Sequence, residues 1–154
     1  MRTLRRRSSY DDPPGLHSRE QPVLLATLDV PFAGDAVAFA LDTAVESGRP
    51  LLVVNVAEVM LTPATLVGYG YLERRDLQAE LAKPAELARS LAVSVQRLRL
   101  CSPHPLDALV QLVVERKPAV LVFGPDRAYV RPRAYARARK RIASRVTCLL
   151  WADG

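Results

Sequence analysis

At 154 residues, 49% hydrophobic but only 6% aromatic and with a formal charge of +6, the chain is long enough for one domain with a packed core. No apolar run approaches the roughly 18 residues of a membrane span, and the N-terminus lacks the apolar stretch of a secretory signal, so a cytoplasmic protein without membrane contact is expected. Cys101 and Cys148 share no metal or redox spacing and occupy apolar, strand-like positions, which argues against zinc and disulfide chemistry and predicts reduced, buried thiols.

Residues 1–21 hold five arginines against Asp11, Asp12 and Glu20, a local charge of +2. They show no hydrophobic period and contain the turn formers Pro13-Pro14-Gly15, so the expectation is a flexible basic tail, with the folded domain in residues 22–154. The tail reads either as an anion-binding arm or as a solubilising segment, and His17 lies within it.

From Pro22 the pattern alternates. Residues 23–28 form a short apolar run of the kind that fills a sheet buried on both faces, and it stops at Asp29. Residues 34–47 place Val37, Leu41 and Ala44 on one helical face, with Gly48 as the stop. Residues 51–56 read as a second strand. The irregular stretch 57–70, with Pro63, Gly68 and Gly70, is long enough for a lid or a packing excursion.

A helical period runs over residues 72–92 through Leu77, Leu81, Ala88 and Leu91; Pro84 inside it predicts a kink or two abutting helices. Residues 93–100 alternate apolar and polar, as a half-exposed edge strand does. His104, between two prolines, reads as a turn residue. Leu106, Leu109, Val110 and Val113 then form an amphipathic helix with Asp107 in its first turn and Arg116 and Lys117 at its end.

The next strand, Val120 to Gly124, opens into a loop and helix that carry eight basic residues and no acid between positions 127 and 145; outside this segment and the tail the chain sums to −4. A strand ending in glycine before a helix is where open α/β proteins hold phosphates, yet Pro125, Tyr129 and Pro132 stand where close backbone approach calls for glycine. On a helix beginning near Pro132, Arg133, Arg137 and Arg141 form one row, and Ala134, Ala138 and Ile142 form the neighbouring row that can face a sheet. The basic row is either a phosphate-attracting ridge or a solvated helix face. Residues 146–151 supply the closing strand. Five strands alternating with four helical segments imply an α/β fold with a parallel sheet, right-handed crossovers and helices on both faces.

The order of these elements over residues 22–152 resembles the universal stress protein family. The resemblance rests on an opening strand closed by Asp29, a second strand followed by a variable excursion, the strand Val120-Leu121-Val122-Phe123-Gly124, and the closing Val146-Thr147-Cys148-Leu149-Leu150-Trp151. It implies a Rossmann-like five-stranded parallel sheet of order 3-2-1-4-5, akin to the adenine nucleotide alpha hydrolases. It also implies a homodimer joined through the last strand, at Val146, Cys148, Leu149, Leu150 and Trp151. ATP-binding members of that family carry Gly-x-x-Gly, nine residues, then Gly-Ser or Gly-Thr. Here Gly124 matches the first glycine, Arg127 stands at the second, and Arg137-Ala138 stand at the pair. A short deletion would move the pair to Ala134-Tyr135, which matches no better. The triphosphate cradle is not carried over. Asp29 matches the family aspartate near the nucleoside end of bound ATP, and its other reading is a cap on the following turn or helix.

Two readings of function follow. One is a noncatalytic, dimeric universal stress protein-like module in stress response or regulation, with an unidentified protein partner and no expected cofactor. The other is a nucleotide- or anion-binding module that uses Arg127, Arg131, Arg133, Arg137 and Arg141 in place of the glycine loop, with Asp29 and Gly124 beside them; ATP or AMP stays open as its ligand. They differ in whether the arginines face the crevice beside Asp29 or open solvent. Nucleic-acid binding is expected to be weak and nonspecific. Trp151 reads as a ligand-stacking or an interface residue. No Ser-His-Asp order, carboxylate pair, metal motif or Walker loop supports an enzyme, and no lysine on the last strand supports a receiver domain.

Overall fold

The computed structural model describes residues 6–9 by their backbone, together with residues 21–59 and 74–153. Six strands and four α-helices follow one another as β1 (Arg6–Ser9), β2 (Val23–Thr27), α1 (Gly34–Ser47), β3 (Leu51–Glu58), α2 (Arg74–Ser90), β4 (Val95–Ser102), α3 (Pro105–Arg116), β5 (Val120–Phe123), α4 (Pro132–Arg145) and β6 (Leu149–Ala152). The expected excursion at 57–70 falls, from residue 60 onward, outside the described residues. Strands β2 to β6 form an all-parallel sheet of order β4-β3-β2-β5-β6, the doubly wound 3-2-1-4-5 arrangement.

All five residues of β2 and all four of β5 are buried, because both faces of these central strands are covered by helices. Alternation then divides the core. Leu24, Ala26, Leu52, Val54, Leu98, Leu100, Leu121 and Phe123 meet Leu109 and Leu112 of α3 and Tyr135, Ala138 and Ile142 of α4. On the opposite face Val23, Leu25, Leu51, Val53, Val95, Val120 and Val122 meet Ala36, Ala40, Leu41 and Ala44 of α1 and Ala85 and Ala88 of α2. The helix side of this second face is built mainly from alanine, which lets α1 and α2 approach the sheet closely.

Helix ends follow their residues unevenly. Gly48 closes α1 at φ +65° and donates to the carbonyls of Ala44 and Val45, the left-handed cap for which glycine is suited. Lys117 closes α3 in the same conformation at φ +48°, although it has a side chain to accommodate there.

Several expectations are corrected. Arg6–Ser9, part of the stretch read as a flexible tail, pairs antiparallel with β4, with Ser8 opposite Arg99. β4 therefore lies inside a six-stranded sheet rather than at its edge. The closing strand begins at Leu149, not Val146, because α4 runs to Arg145 and the Val146 N–H still donates to Ile142 at 3.0 Å. α2 continues through Pro84 as one helix, and Leu91, beyond its end, is 54% exposed. In α4 the large inward residue is Tyr135, not its neighbour Ala134. Both cysteines are free and only partly buried. Burial pushes the Cys148 thiol up, which keeps it protonated and unreactive at neutral pH.

Leu109 and Leu91 provide a test of this core assignment. Leu109→Ala, at a site with no exposed surface, is expected to cost about 2–5 kcal/mol, whereas Leu91→Ala should stay within about 0.5 kcal/mol, read from urea unfolding midpoints.

Candidate functional site

The carboxyl ends of β2 and β5 flank the point where strand order reverses, the usual ligand crevice of an open α/β sheet. Asp29 stands just beyond β2 with φ +56°, a left-handed conformation that aspartate tolerates better than most residues. Its N–H donates to Asn55 Oδ1 at 2.8 Å, and Asn55 Nδ2 donates back to Asp29 Oδ1 at 3.1 Å. Neither sequence reading of Asp29 anticipates this partner. α1 is capped at Ala33 without a side-chain bond, and its first-turn carboxylate is Asp35, which accepts from the Ala36 N–H at 2.9 Å. Asn55 carries a legible signal: it is the polar residue in an otherwise apolar strand run, and the sheet places it in register with Thr27 at the end of β2.

Across the crevice, Gly124 is spent on packing. A Cβ at this position would lie 2.4 Å from the Ala36 Cβ, so the glycine admits the first turn of α1. Its N–H donates to Ala26 O, and its carbonyl accepts from Ala33 N–H, both at 2.9 Å. One step further, Phe32 and Pro125 form an antiparallel bridge, and the Asp126 N–H donates to Pro31 O at 2.8 Å. The loop after β2 is thus stitched to the loop after β5. The amides of Ala33, Gly124 and Asp126 are consumed within the protein, and the Asp126 carboxylate accepts from Ala128 N–H to start the short helical turn Arg127–Tyr129.

The arginines divide into two sets. Arg127, at the position of the second family glycine, lies 4.7 Å over the Tyr135 ring and 3.7 Å from the Asp153 carboxylate. Tyr135 stacks on Phe123 and donates its hydroxyl to Asp153 O at 2.8 Å. Burial, and then the Asp153 charge, push its phenol above the ordinary range, against the pull of Arg127 and Arg139, so it remains a neutral donor. Arg141 and Arg145 both reach Asp107 of α3, at 2.8 and 2.7 Å. Arg131, the N-cap residue of α4, is exposed, and Arg133 and Arg137 are exposed on the side of α4 away from the Tyr135, Ala138 and Ile142 row. Arg127 and Arg141 thus each have an acidic partner, Asp153 and Asp107.

The proposed interface residues occupy distinct places. Leu149 is 75% exposed on the edge strand β6, while Leu150 and Cys148 pack against the α3/α4 core. Trp151 stacks on Phe39 of α1 with ring centroids 5.3 Å apart. Val146 lies outside β6 and packs against the same core as Cys148. His104 is the exposed N-cap residue of α3.

If Gly124 serves packing, its replacement should act on stability before it acts on any ligand. Gly124→Ala is expected to destabilise by about 1–3 kcal/mol through overpacking, and Ala36→Gly in the same chain should recover part of that loss in denaturant titrations.

The sequence model of the universal stress protein family matches residues 20–142. Among solved structures, the universal stress protein from Archaeoglobus fulgidus is similar with a TM-score of 0.59 and 16% identity, over 84% of this chain and 96% of that one. A universal stress protein family member from Burkholderia pseudomallei gives 0.58 and 17%, over 86% and 96%. The Archaeoglobus fulgidus protein in complex with dAMP gives 0.56 and 14%, over 84% and 94%. No curated protein matched the sequence. At such identities the structural likeness speaks to the fold, and it agrees with the sheet order and helix placement found here. With most of its length matched by the family's own sequence model, the chain belongs to the universal stress protein family.

Proposed function

We propose that this chain is a noncatalytic universal stress protein domain, a dimeric cytoplasmic module for stress-response or regulatory interactions that has lost the triphosphate cradle. The observation that carries the reading is the stitching of the two crevice loops. Ala33 N–H to Gly124 O and Asp126 N–H to Pro31 O use backbone donors that a phosphate would need, and Gly124 is filled by Ala36. A related structure holds dAMP, which keeps a nucleotide within the chemistry of the family. For this chain the arginine-based alternative has less support, since Arg127 and Arg141 have acidic partners and Arg133 and Arg137 point to solvent.

Thermal unfolding with ATP, ADP and AMP tests the crevice. A ligand at 100-fold its dissociation constant would stabilise the domain by about 2.7 kcal/mol; for ATP no such rise is expected. Micromolar ATP affinity in calorimetry, lost on Asp29→Ala, would overturn the reading.

Assembly is tested separately. β6 is a short edge strand with an exposed leucine and no charged residue, so it is suited to pairing with a second copy of itself. Sedimentation velocity is expected to show a dimer that Leu149→Lys dissociates. A monomer at tens of micromolar, unchanged by the substitution, would refute a β6 dimer.

A further inference from the structure

The two faces of β6 are finished differently. On one, Leu150 packs against the core that α3 and α4 cover. On the other, Leu149 stands beside Val120 and Trp151 beside Val122, so both belong to the α1/α2 side of the sheet. There Phe39 reaches from α1 to stack on Trp151 at 5.3 Å, yet Leu149 remains 75% exposed and Phe39 itself 36%. The alanines of α1 pack on Val23, Leu25, Val120 and Val122, which sets α1 over β2 and β5 and leaves β6 beyond its flank. Packed helices stand roughly 8–10 Å apart, about two strand spacings, so the next place in this helix layer lies over β6 at the margin of the sheet.

The charge around this face has one sign. Asp35, Asp42 and Glu46 share the side of α1 that carries Phe39, all three are exposed, and α1 contains no lysine or arginine. β6, with the sequence Leu-Leu-Trp-Ala, adds no charge. Asp35 accepts from the Ala36 N–H, whereas among the described residues no ion pair claims Asp42 or Glu46. In a chain of net charge +6, this rim reverses the overall sign. An exposed apolar strip edged by carboxylates selects a partner that is both apolar and basic, and it repels an acidic one.

We infer that this face docks a basic amphipathic helix of a partner protein. The apolar side chains of that helix cover Leu149, Trp151 and Phe39, and its lysines or arginines meet Asp42 and Glu46, as in other complexes where a helix lies along an apolar groove. The inference rests on the proposed role as an interaction module and adds the chemistry of the partner. Pairing of β6 with a second copy would use the backbone edge in the plane of the sheet, so the dimer and the docked helix are compatible.

Trp151 is the single tryptophan of the chain, so its emission reports on this face. The probes for the full chain are a tryptophan-free amphipathic helical peptide of leucine and lysine, the same peptide with glutamate for lysine, and a scrambled leucine–lysine peptide. The helical lysine peptide is expected to shift Trp151 emission to shorter wavelength in a saturable way, and the other two are not. Asp42→Lys combined with Glu46→Lys, both at exposed positions, should weaken the lysine peptide about fivefold or more and admit the glutamate peptide. An equal response to the scrambled peptide, or lysine-peptide binding that ignores the double substitution, would overturn the inference. So would a Trp151 shift that follows protein concentration and that no peptide alters, which would give the face to a second copy. If the lysine peptide fails while sedimentation shows the dimer, this inference alone falls; if the chain is monomeric and the peptide binds, the β6 dimer falls and the docking face stands.

Discussion

The contact between Gly124 and Ala36 sets the geometry on which the rest of the crevice depends. With 2.4 Å between an added methyl and the Ala36 side chain, no larger residue fits without moving α1 or the end of β5. That closeness brings the loop after β2 within backbone hydrogen-bonding range of the loop after β5, and the bonds from Ala33 and Asp126 follow. A glycine that elsewhere opens room for a ligand here admits a helix. The same residue type at the same place in the fold therefore supports opposite outcomes, and its neighbours decide between them.

Charge is handled in the same local way. The segment from Arg127 to the end of α4 holds eight cations and no acid, yet Asp107 takes two of them and Asp153 faces a third. Exposed pairs of this kind contribute about 0–1 kcal/mol each, so their effect is to orient side chains more than to stabilise the fold. Arg127 illustrates the point: drawn over Tyr135 and toward Asp153, it braces the junction between the turn after β5 and the C-terminal strand. Arg133 and Arg137 lie exposed on α4, where salt screens their charge.

Much of this was legible in the chain. Continuous apolar runs at β2, β3 and β5 could only serve strands buried on both faces, and Gly48 marked a helix end through its own backbone freedom. Other features depend on contacts between distant segments. Arg6–Ser9 has no apolar period, and its pairing with β4 comes from backbone groups that sequence patterning does not reveal. The start of β6 was obscured because Val146 and Cys148 are apolar for a different reason: they pack under α3 and α4 while the chain leaves the helix. The Asp29–Asn55 pair joins residues 26 positions apart, and only the parallel register makes them neighbours. Arg97 and Arg99 read as the polar half of an edge strand; inside the sheet they lie half-buried beside Val53 and Asn55.

The two margins of the sheet complete the contrast. On the β4 side, β1 adds a short antiparallel strand through its backbone, opposite Leu98 to Cys101. On the other side β6 ends the sheet with Leu-Leu-Trp-Ala, which has no charge to repel a second strand. Trp151 does not stand free on that margin, because Phe39 holds its ring against α1; the exposed apolar surface of β6 is concentrated at Leu149. Since stacking fixes Trp151, β6 is held in register before any partner arrives, and pairing would cost less ordering entropy than recruiting a loose strand. A braced edge strand without charge is the feature of this sheet on which the proposed β6 dimer rests.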